Sequence, residues 1–480
     1  MKWSERVSTD YAVVAILVAI ALCARFLSFG YLSSLADIRP AAYPYPIIQG
    51  DSMRYAEWAD NLITYHAYQD NAGLPLRSVP PAYPGLLAVS KALTGSFAPL
   101  VFMQILFAAL AVALIYKMAR TLLPVPYAVV PAIVYALDPM AVFTDSAALT
   151  DGLFSALLVC VVYLTFFQLF TRGRELVRWG LIGLLLGVLT MIRPIAQFLV
   201  VVFPAMYLVR TWMDGHQSDS SRLKMIAVCA LAFALVVVPW MVRNKIVHDS
   251  FEISIIGTHN LLTNNVKGFL GWRAFAESGH PMPAILAMRH FGDPVFEAVE
   301  ERIAGDLARA TPPGKSYVSY EGGLAINYIF HDPIRYAYFH GVNTIPFFLS
   351  SSIASYGQIV RQLRDNEGFS ESVTLSLLGT LGELRHPSNF HAWALALWSL
   401  APKALEISWW LLVALLALIA LVLRRRDSTI LLCAVLVLYF AVLTGPMSNS
   451  RYRIPAEPYL VMLAAAGAHT LIERLKKRSS

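Results

Sequence analysis

Residues 97–119, FAPLVFMQILFAALAVALIYKMA, run for 23 positions with one charge, Lys117, next to the far end. A helix needs about 20 apolar residues to cross the hydrocarbon core of a bilayer, and this stretch meets that length. Similar runs occupy 11–29, 127–143, 151–170, 179–192, 194–211, 224–242, 404–424, 428–445 and 457–474. Some are short, notably 179–192. The chain is 57% hydrophobic and 14% charged, against about 25% charged in an ordinary soluble domain. These features predict an all-α, polytopic membrane protein of about 10–12 transmembrane helices joined by polar loops and amphipathic helices.

The formal charge is +7. Its basic residues gather at span ends: Lys117 and Arg120, Arg172, Arg174 and Arg178, Arg222 and Lys224, Arg424 to Arg426, and Lys476 to Arg478. They mark the cytoplasmic side by the positive-inside rule. No continuous basic stripe is present, so a nucleic-acid partner is not expected. Alternate crossings from an inside N-terminus place 31–96, 144–150, the turn near 192–194, 243–403 and 446–456 outside. If the moderately apolar 338–356 crosses, 388–403 must cross back. The first run is longer than a cleavable h-region of about 7–15 residues and reads as a retained anchor. Cys23, Cys160, Cys229 and Cys433 all sit in apolar runs, where thiols behave as small hydrophobes. The domain reading is 1–242 as an N-terminal transmembrane module containing the loop 31–96, 243–403 as an external or interfacial region, and 404–480 as C-terminal helices.

In the first external loop, Met53, Tyr55, Ala56, Ala59, Leu62 and Ile63 alternate at helical spacing with Arg54, Glu57, Asp60 and Asn61, which predicts a helix lying at the interface. Asp51 at its start is a candidate catalytic base; Asp51 or Ser52 is equally readable as a plain N-cap. Val79-Pro80-Pro81-Ala82-Tyr83-Pro84 stiffens the return of this loop to the membrane. Asp138, Asp145 and Asp151 cluster around the second external turn, and Asp151 also suits the first turn of a helix. Glu297, Glu300, Glu301, Arg302, Asp306 and Arg309 read as a solvated helical face. His386 and His391 miss the spacing of a helical zinc pair and read as plain loop histidines.

Six segments resemble the bacterial GT-C superfamily of integral-membrane glycosyltransferases, in particular relatives of protein O-mannosyltransferases and lipid A aminoarabinose transferases. They are Gly50-Asp51-Ser52-Met53-Arg54-Tyr55-Ala56, Pro80-Pro81-Ala82-Tyr83-Pro84, Leu149-Thr150-Asp151-Gly152-Leu153-Phe154, Ile192-Arg193-Pro194, Pro239-Trp240-Met241-Val242-Arg243-Asn244 and Arg451-Tyr452-Arg453-Ile454-Pro455. The resemblance implies a polyprenyl-phosphate-linked sugar donor, an essential acid at Asp51, a second carboxylate at Asp151 with Asp145 as the alternative, and a donor-phosphate element at Arg451, Tyr452 and Pro455. It also implies a bacterial inner membrane, a site facing the periplasm, and a glycolipid or envelope-glycan acceptor. Ser52 stands where O-mannosyltransferases carry a second acid, which points away from protein glycosylation.

Chemistry of this kind needs a base for the acceptor and cations for the departing phosphate. Arg451 and Arg453 are the first candidates for the phosphate, followed by Arg54, Arg193 and Arg243; snorkelling is the bland alternative for each. Tyr55, Tyr83 and Tyr452 are candidates for sugar contacts, against a membrane-anchor reading. His259 and Asn260 are candidates to line the polar part of the site. A divalent cation, Mg²⁺ or Mn²⁺, bridging Asp51, Asp151 and phosphate is compatible with oxygen ligands. Two other classes fit many spans: a lipid or sugar transporter, and a lipid-linked oligosaccharide ligase or polymerase. The acids lie outside and no repeat is visible, which disfavours the transporter.

Overall fold

The structure is a computed structural model that describes residues 3–36, 43–48, 50–167, 174–213, 221–279, 282–365 and 390–479. Among them the only extended pairing is an isolated bridge between Gln69 and Pro75, so the all-α expectation holds. The N-terminal half comprises α1 (Trp3–Ala36), α2 (Asp51–Tyr65), α3 (Ala82–Thr94), α4 (Ala98–Arg120), α5 (Val125–Leu137), α6 (Pro139–Ser146), α7 (Thr150–Phe166), α8 (Glu175–Ile192), α9 (Leu199–Met213) and α10 (Ser221–His248). There follow α11 (Ile256–Asn260), α12 (Lys267–Glu277), α13 (Pro294–Ala310), α14 (Val318–His331), α15 (Pro333–Leu349) and α16 (Ser352–Asp365). The chain closes with α17 (Phe390–Leu423), α18 (Ser428–Thr444), α19 (Ser450–Arg453) and α20 (Glu457–Ser479).

Seven described helices are long and apolar enough to span a bilayer, or eight if the bent pair α5–α6 is one crossing. The protein is therefore multi-pass, with fewer crossings by length and composition than the ten to twelve expected from runs alone. Three runs account for the difference. The run 127–143 bends by 52° at Asp138-Pro139, because a proline cannot donate to the helix it would continue. The run 151–170 yields the 17-residue α7, and 457–474 becomes the start of a helix that ends in Lys476, Lys477 and Arg478. Nor is 338–356 a continuous helix: α15 stops at Leu349 and α16 begins at Ser352.

One apolar core joins the spans, with α4 packed on α1, α5 and α7, α8 on α10, and α20 on α5, α17 and α18. Close approach of α8 to α10 is permitted by Gly183, where a Cβ would lie 2.2 Å from the Cys229 carbonyl oxygen; small residues at such crossings serve packing in place of hydrophobic drive. A second cluster around Phe269, Phe296 and Phe339 is supplied by α12 to α15 together with Leu262, Val266, Ala284 and Ala287 of the short turns before and after α12.

The early helix forms where the periodicity places it, with one face corrected. Tyr55, Ala56 and Ala59 are buried as expected and Trp58 is buried with them, but Met53 is exposed and Asn61 is buried. The exchange is possible because the Asn61 amide donates to the Gln69 carbonyl at 3.0 Å, which removes the penalty of hiding a polar group. Pro80-Pro81 ends the loop and opens α3 at Ala82, with Pro84 tolerated in the first turn.

Candidate active site

Four turns that the crossing count placed on one side of the membrane meet in a single cluster. Gly50 enters α2 with φ 82° and ψ −134°, a conformation that essentially only glycine adopts. That turn sets Asp51 at the first helical position, where the exposed N–H groups favour a carboxylate. Gly50, and neither Asp51 nor Ser52, occupies the N-cap position, and no side chain caps the helix. Asp51 Oδ2 instead accepts from Arg451 Nη2 at 3.1 Å, while the Ser52 hydroxyl accepts from the Ile48 N–H at 3.2 Å.

Asp151, in the first turn of α7, is almost completely buried. Its Oδ2 accepts from the same Arg451 Nη2 at 2.9 Å, and its Oδ1 accepts from Arg193 Nη1. Arg451 thus bridges two carboxylates 100 positions apart in the chain. Asn449 caps α19 through bonds from the Arg451 and Tyr452 N–H groups, which sets the direction of the arginine. Arg193 leaves α8 in an extended conformation, as expected of a residue before proline, and its guanidinium lies 5.9 Å from the centre of the Phe154 ring. The side chain of Asp51 is 34% exposed and that of Arg451 17%, so Asp51 is the carboxylate that an incoming molecule can reach.

The glycine after Asp151 has a separate reason. A Cβ on Gly152 would lie 2.3 Å from Asp145 Oδ1 and 2.8 Å from the Thr144 carbonyl oxygen. Only a bare Cα lets α7 start that close to α6. Asp145, the alternative second acid, is fully buried and paired with Arg25 Nε of α1 at 2.8 Å. It ties the first span to α6 and does not reach the cluster through any bond. Asp138 caps α6 by accepting from the Met140 and Ala141 N–H groups.

Beside the acids lies an aromatic layer. Tyr55 packs edge-on to Tyr83 at 5.5 Å and to Trp58 at 5.9 Å. Burial, with the Asp51 charge adding to it, pushes the Tyr55 phenol well above its usual range. The Tyr83 phenol is likewise pushed up, first by burial and then by Tyr55. Both remain hydroxyl donors. Tyr83 donates to Gln104 Oε1 at 2.6 Å, and the Gln104 amide donates to the Ala147 carbonyl at 3.1 Å. Tyr83 is fully buried, a packing position that leaves no ring face for a sugar.

The remaining candidates are dispersed. Arg453 is fully buried, lies 3.6 Å over the Trp410 ring, and donates to the Ser350 carbonyl and the Ser352 hydroxyl. Arg243 lies over Trp240 at 4.8 Å and donates to the Leu76 carbonyl, so it clamps the first loop. Arg54 is exposed on α2, and Tyr452 is half-buried beside Arg451. His259 contacts Glu321 at 3.1 Å, and Asn260 accepts from Asn264 at 3.1 Å. His386 and the side chain of His391 lie outside the described residues.

A divalent cation does not fit this arrangement. Both oxygens of Asp151 are taken by guanidinium groups, and Arg451 occupies the gap between the two acids. Among the described residues no group of three His, Cys, Asp or Glu side chains converges to hold an ion. The positive charge near the acids is supplied by arginine.

Sequence reasoning passed over Gln104, Arg25 and Asn449. The first two had a visible signal, a polar or ionisable side chain within an apolar run, which needs a partner in the membrane.

No curated protein matches the chain. Among solved structures, ArnT from Cupriavidus metallidurans bound to undecaprenyl phosphate shares 15% identity, covering 95% of this chain and 77% of that one, with a TM-score of 0.37. The oligosaccharyltransferase AglB from Archaeoglobus fulgidus, in complex with an inhibitory peptide and a dolichol-phosphate, shares 11% identity over 100% of this chain and 52% of its own, with a TM-score of 0.47. An Archaeoglobus fulgidus oligosaccharyltransferase tethered to an acceptor peptide gives 13%, 97%, 50% and 0.48 in the same order. At such scores these likenesses assign nothing to this chain. Residues 78–242, about a third of the sequence, match the family described as dolichyl-phosphate-mannose-protein mannosyltransferase, and over that stretch the chain bears out the membrane-glycosyltransferase resemblance carried by its motifs.

Proposed function

We propose that this protein is a glycosyltransferase that moves a sugar from a polyprenyl phosphate to an acceptor hydroxyl or amine at the external face of a bacterial inner membrane, the acceptor being a glycolipid or cell-envelope glycan. The observation that carries the reading is Arg451 held between a buried acid, Asp151, and a reachable one, Asp51, at the ends of apolar helices. The two acids then have separate tasks. Asp151, buried and bound to two guanidinium groups, orients them. Asp51, bound on one oxygen and one-third exposed, is free to take a proton.

In the proposed step the acceptor oxygen or nitrogen attacks the anomeric carbon from the face opposite the phosphate, giving inversion. Its proton passes to Asp51. The bond between the anomeric carbon and the phosphate oxygen breaks, and its electron pair leaves with the lipid phosphate. Arg451 and Arg193 stabilise the charge that gathers there, as forked donors on phosphate oxygens do. We assign Arg453 no phosphate contact, because carbonyl and hydroxyl groups of Ser350 and Ser352 already take its guanidinium. Tyr55 and Tyr83 support the floor beneath Asp51.

The test is purified protein in lipid nanodiscs, offered a panel of polyprenyl phosphate sugars with envelope glycolipid extract, the product identified by mass. Asp51→Asn is expected to lower transfer about 10²–10⁴-fold, the usual contribution of a general base. Near-normal transfer by a well-folded Asp51→Asn protein would falsify the assignment. Lipid movement without a new glycosidic bond identifies a transporter, and exclusive use of pyrophosphate-linked oligosaccharides a ligase.

A further inference from the structure

A second charged site lies at the other end of the bundle. α18 runs from Ser428 to Thr444, beside the Arg451 turn; its 17 residues carry the chain about 25 Å at the helical rise. At its far end the turn Arg424-Arg425-Arg426-Asp427 joins α17 to α18, and Arg474 of α20 faces that turn across a shallow, open cleft of about 780 Å³. Val422 and Leu423 line the same cleft.

The only acid in the lining is committed locally. Asp427 Oδ1 accepts from the Thr429 and Ile430 N–H groups and so caps α18, while Oδ2 accepts from Arg424 Nη2 at 2.6 Å. This fastens the arginine turn and neutralises Arg424. The nearby Glu473 pairs with Lys476. Arg425, Arg426 and Arg474 are exposed and have no ion-pair partner among the described residues. Three uncompensated guanidinium groups therefore stand around one concavity.

We propose that this cleft binds the phosphate headgroup of an anionic lipid in the leaflet opposite the Asp51 cluster. Planar guanidinium forks match phosphate oxygens in a way that a diffuse positive patch does not, and basic pockets at the membrane boundary between helices are suited to anionic headgroups. The exposed Val422 beside the arginines gives the first acyl carbons an apolar surface, which favours a lipid over soluble phosphate. Simple orientation of the protein by positive charge needs neither the concavity nor the fork, since it depends on the number of basic residues.

The proposal does not depend on the Asp51 chemistry. Its test is native mass spectrometry of the full chain released from phosphatidylcholine nanodiscs doped with phosphatidylglycerol, with wild type compared with two triple variants. One is Arg425→Gln, Arg426→Gln, Arg474→Gln; the other carries Lys at the same positions and preserves charge and orientation. Wild type is expected to retain bound phosphatidylglycerol, the Gln variant to retain at least tenfold less, and the Lys variant severalfold less. Millimolar inorganic phosphate is expected to leave the bound lipid in place. Equal retention by wild type and the Gln variant, or by the Lys variant if the Gln variant does not fold, overturns the site. Displacement by inorganic phosphate overturns the lipid as its occupant. Asp51→Asn protein is expected to hold the lipid as wild type does, which separates this result from the outcome of the transfer assay.

Discussion

At the scale of single residues, the two acid motifs each join a carboxylate to a glycine, and the glycines act for different reasons. Gly50 supplies a left-handed turn that sets Asp51 at the start of α2; Gly152 removes a Cβ that would strike α6 behind Asp151. Arg451 is the residue on which both acids depend. One nitrogen, Nη2, serves Asp51 and Asp151 together within a planar guanidinium fork. Lysine offers a point charge on a flexible stem and does not reproduce that geometry. Arg451→Lys is expected to reduce transfer by about tenfold or more, with Arg451→Ala lower still, since a lost charged donor in such a site is worth roughly 10²–10³ in kcat. Initial rates at saturating lipid donor check the order. An Arg451→Lys enzyme at wild-type rate removes Arg451 from the phosphate contact.

Individual helices show how the cluster is held. α7 begins close to α6 because of Gly152, so Gly152→Ala is expected to shift the first turn of α7, with Asp151 on it. Overpacking of this kind costs about 1–3 kcal/mol, and activity is expected to fall more steeply than stability, because Asp151 moves relative to Arg193. Thermal melting measured alongside transfer on one preparation separates the two effects. The tie between α1 and α6 is the buried pair Arg25–Asp145. Arg25→Met alone leaves Asp145 uncompensated and is expected to destabilise the protein by about 3–5 kcal/mol. Arg25→Met with Asp145→Leu is expected to recover most of that loss, because an apolar pair avoids desolvating two charges. Equilibrium unfolding in mixed micelles reads both. Equal stability of the single and double variants refutes the coupling.

For the whole molecule, one core gathers the spans while a second, around Phe269, Phe296 and Phe339, forms the helical region that follows α10. Phe296 is fully buried against Gly271, and Phe296→Ala is expected to cost about 3–5 kcal/mol locally. Hydrogen exchange should rise across α12 to α14 and stay unchanged in α7; uniform acceleration shows that the two cores unfold together. Much of this architecture was legible in the chain alone. Apolar runs and their charged ends are properties of neighbouring residues, and bilayer thickness turns them into helices of known length. The motifs singled out Asp51 and Arg451, which the fold brings to 3.1 Å of each other. Folding alone decided that Asp151 is a buried anchor, that Arg453 faces inward onto Trp410 while Arg451 two positions earlier faces the acids, and that Asp145 pairs with Arg25. Those outcomes rest on pairings between residues up to 400 positions apart. Hydropathy is summed along the chain, whereas the partner of a charge is chosen by which helices pack side by side.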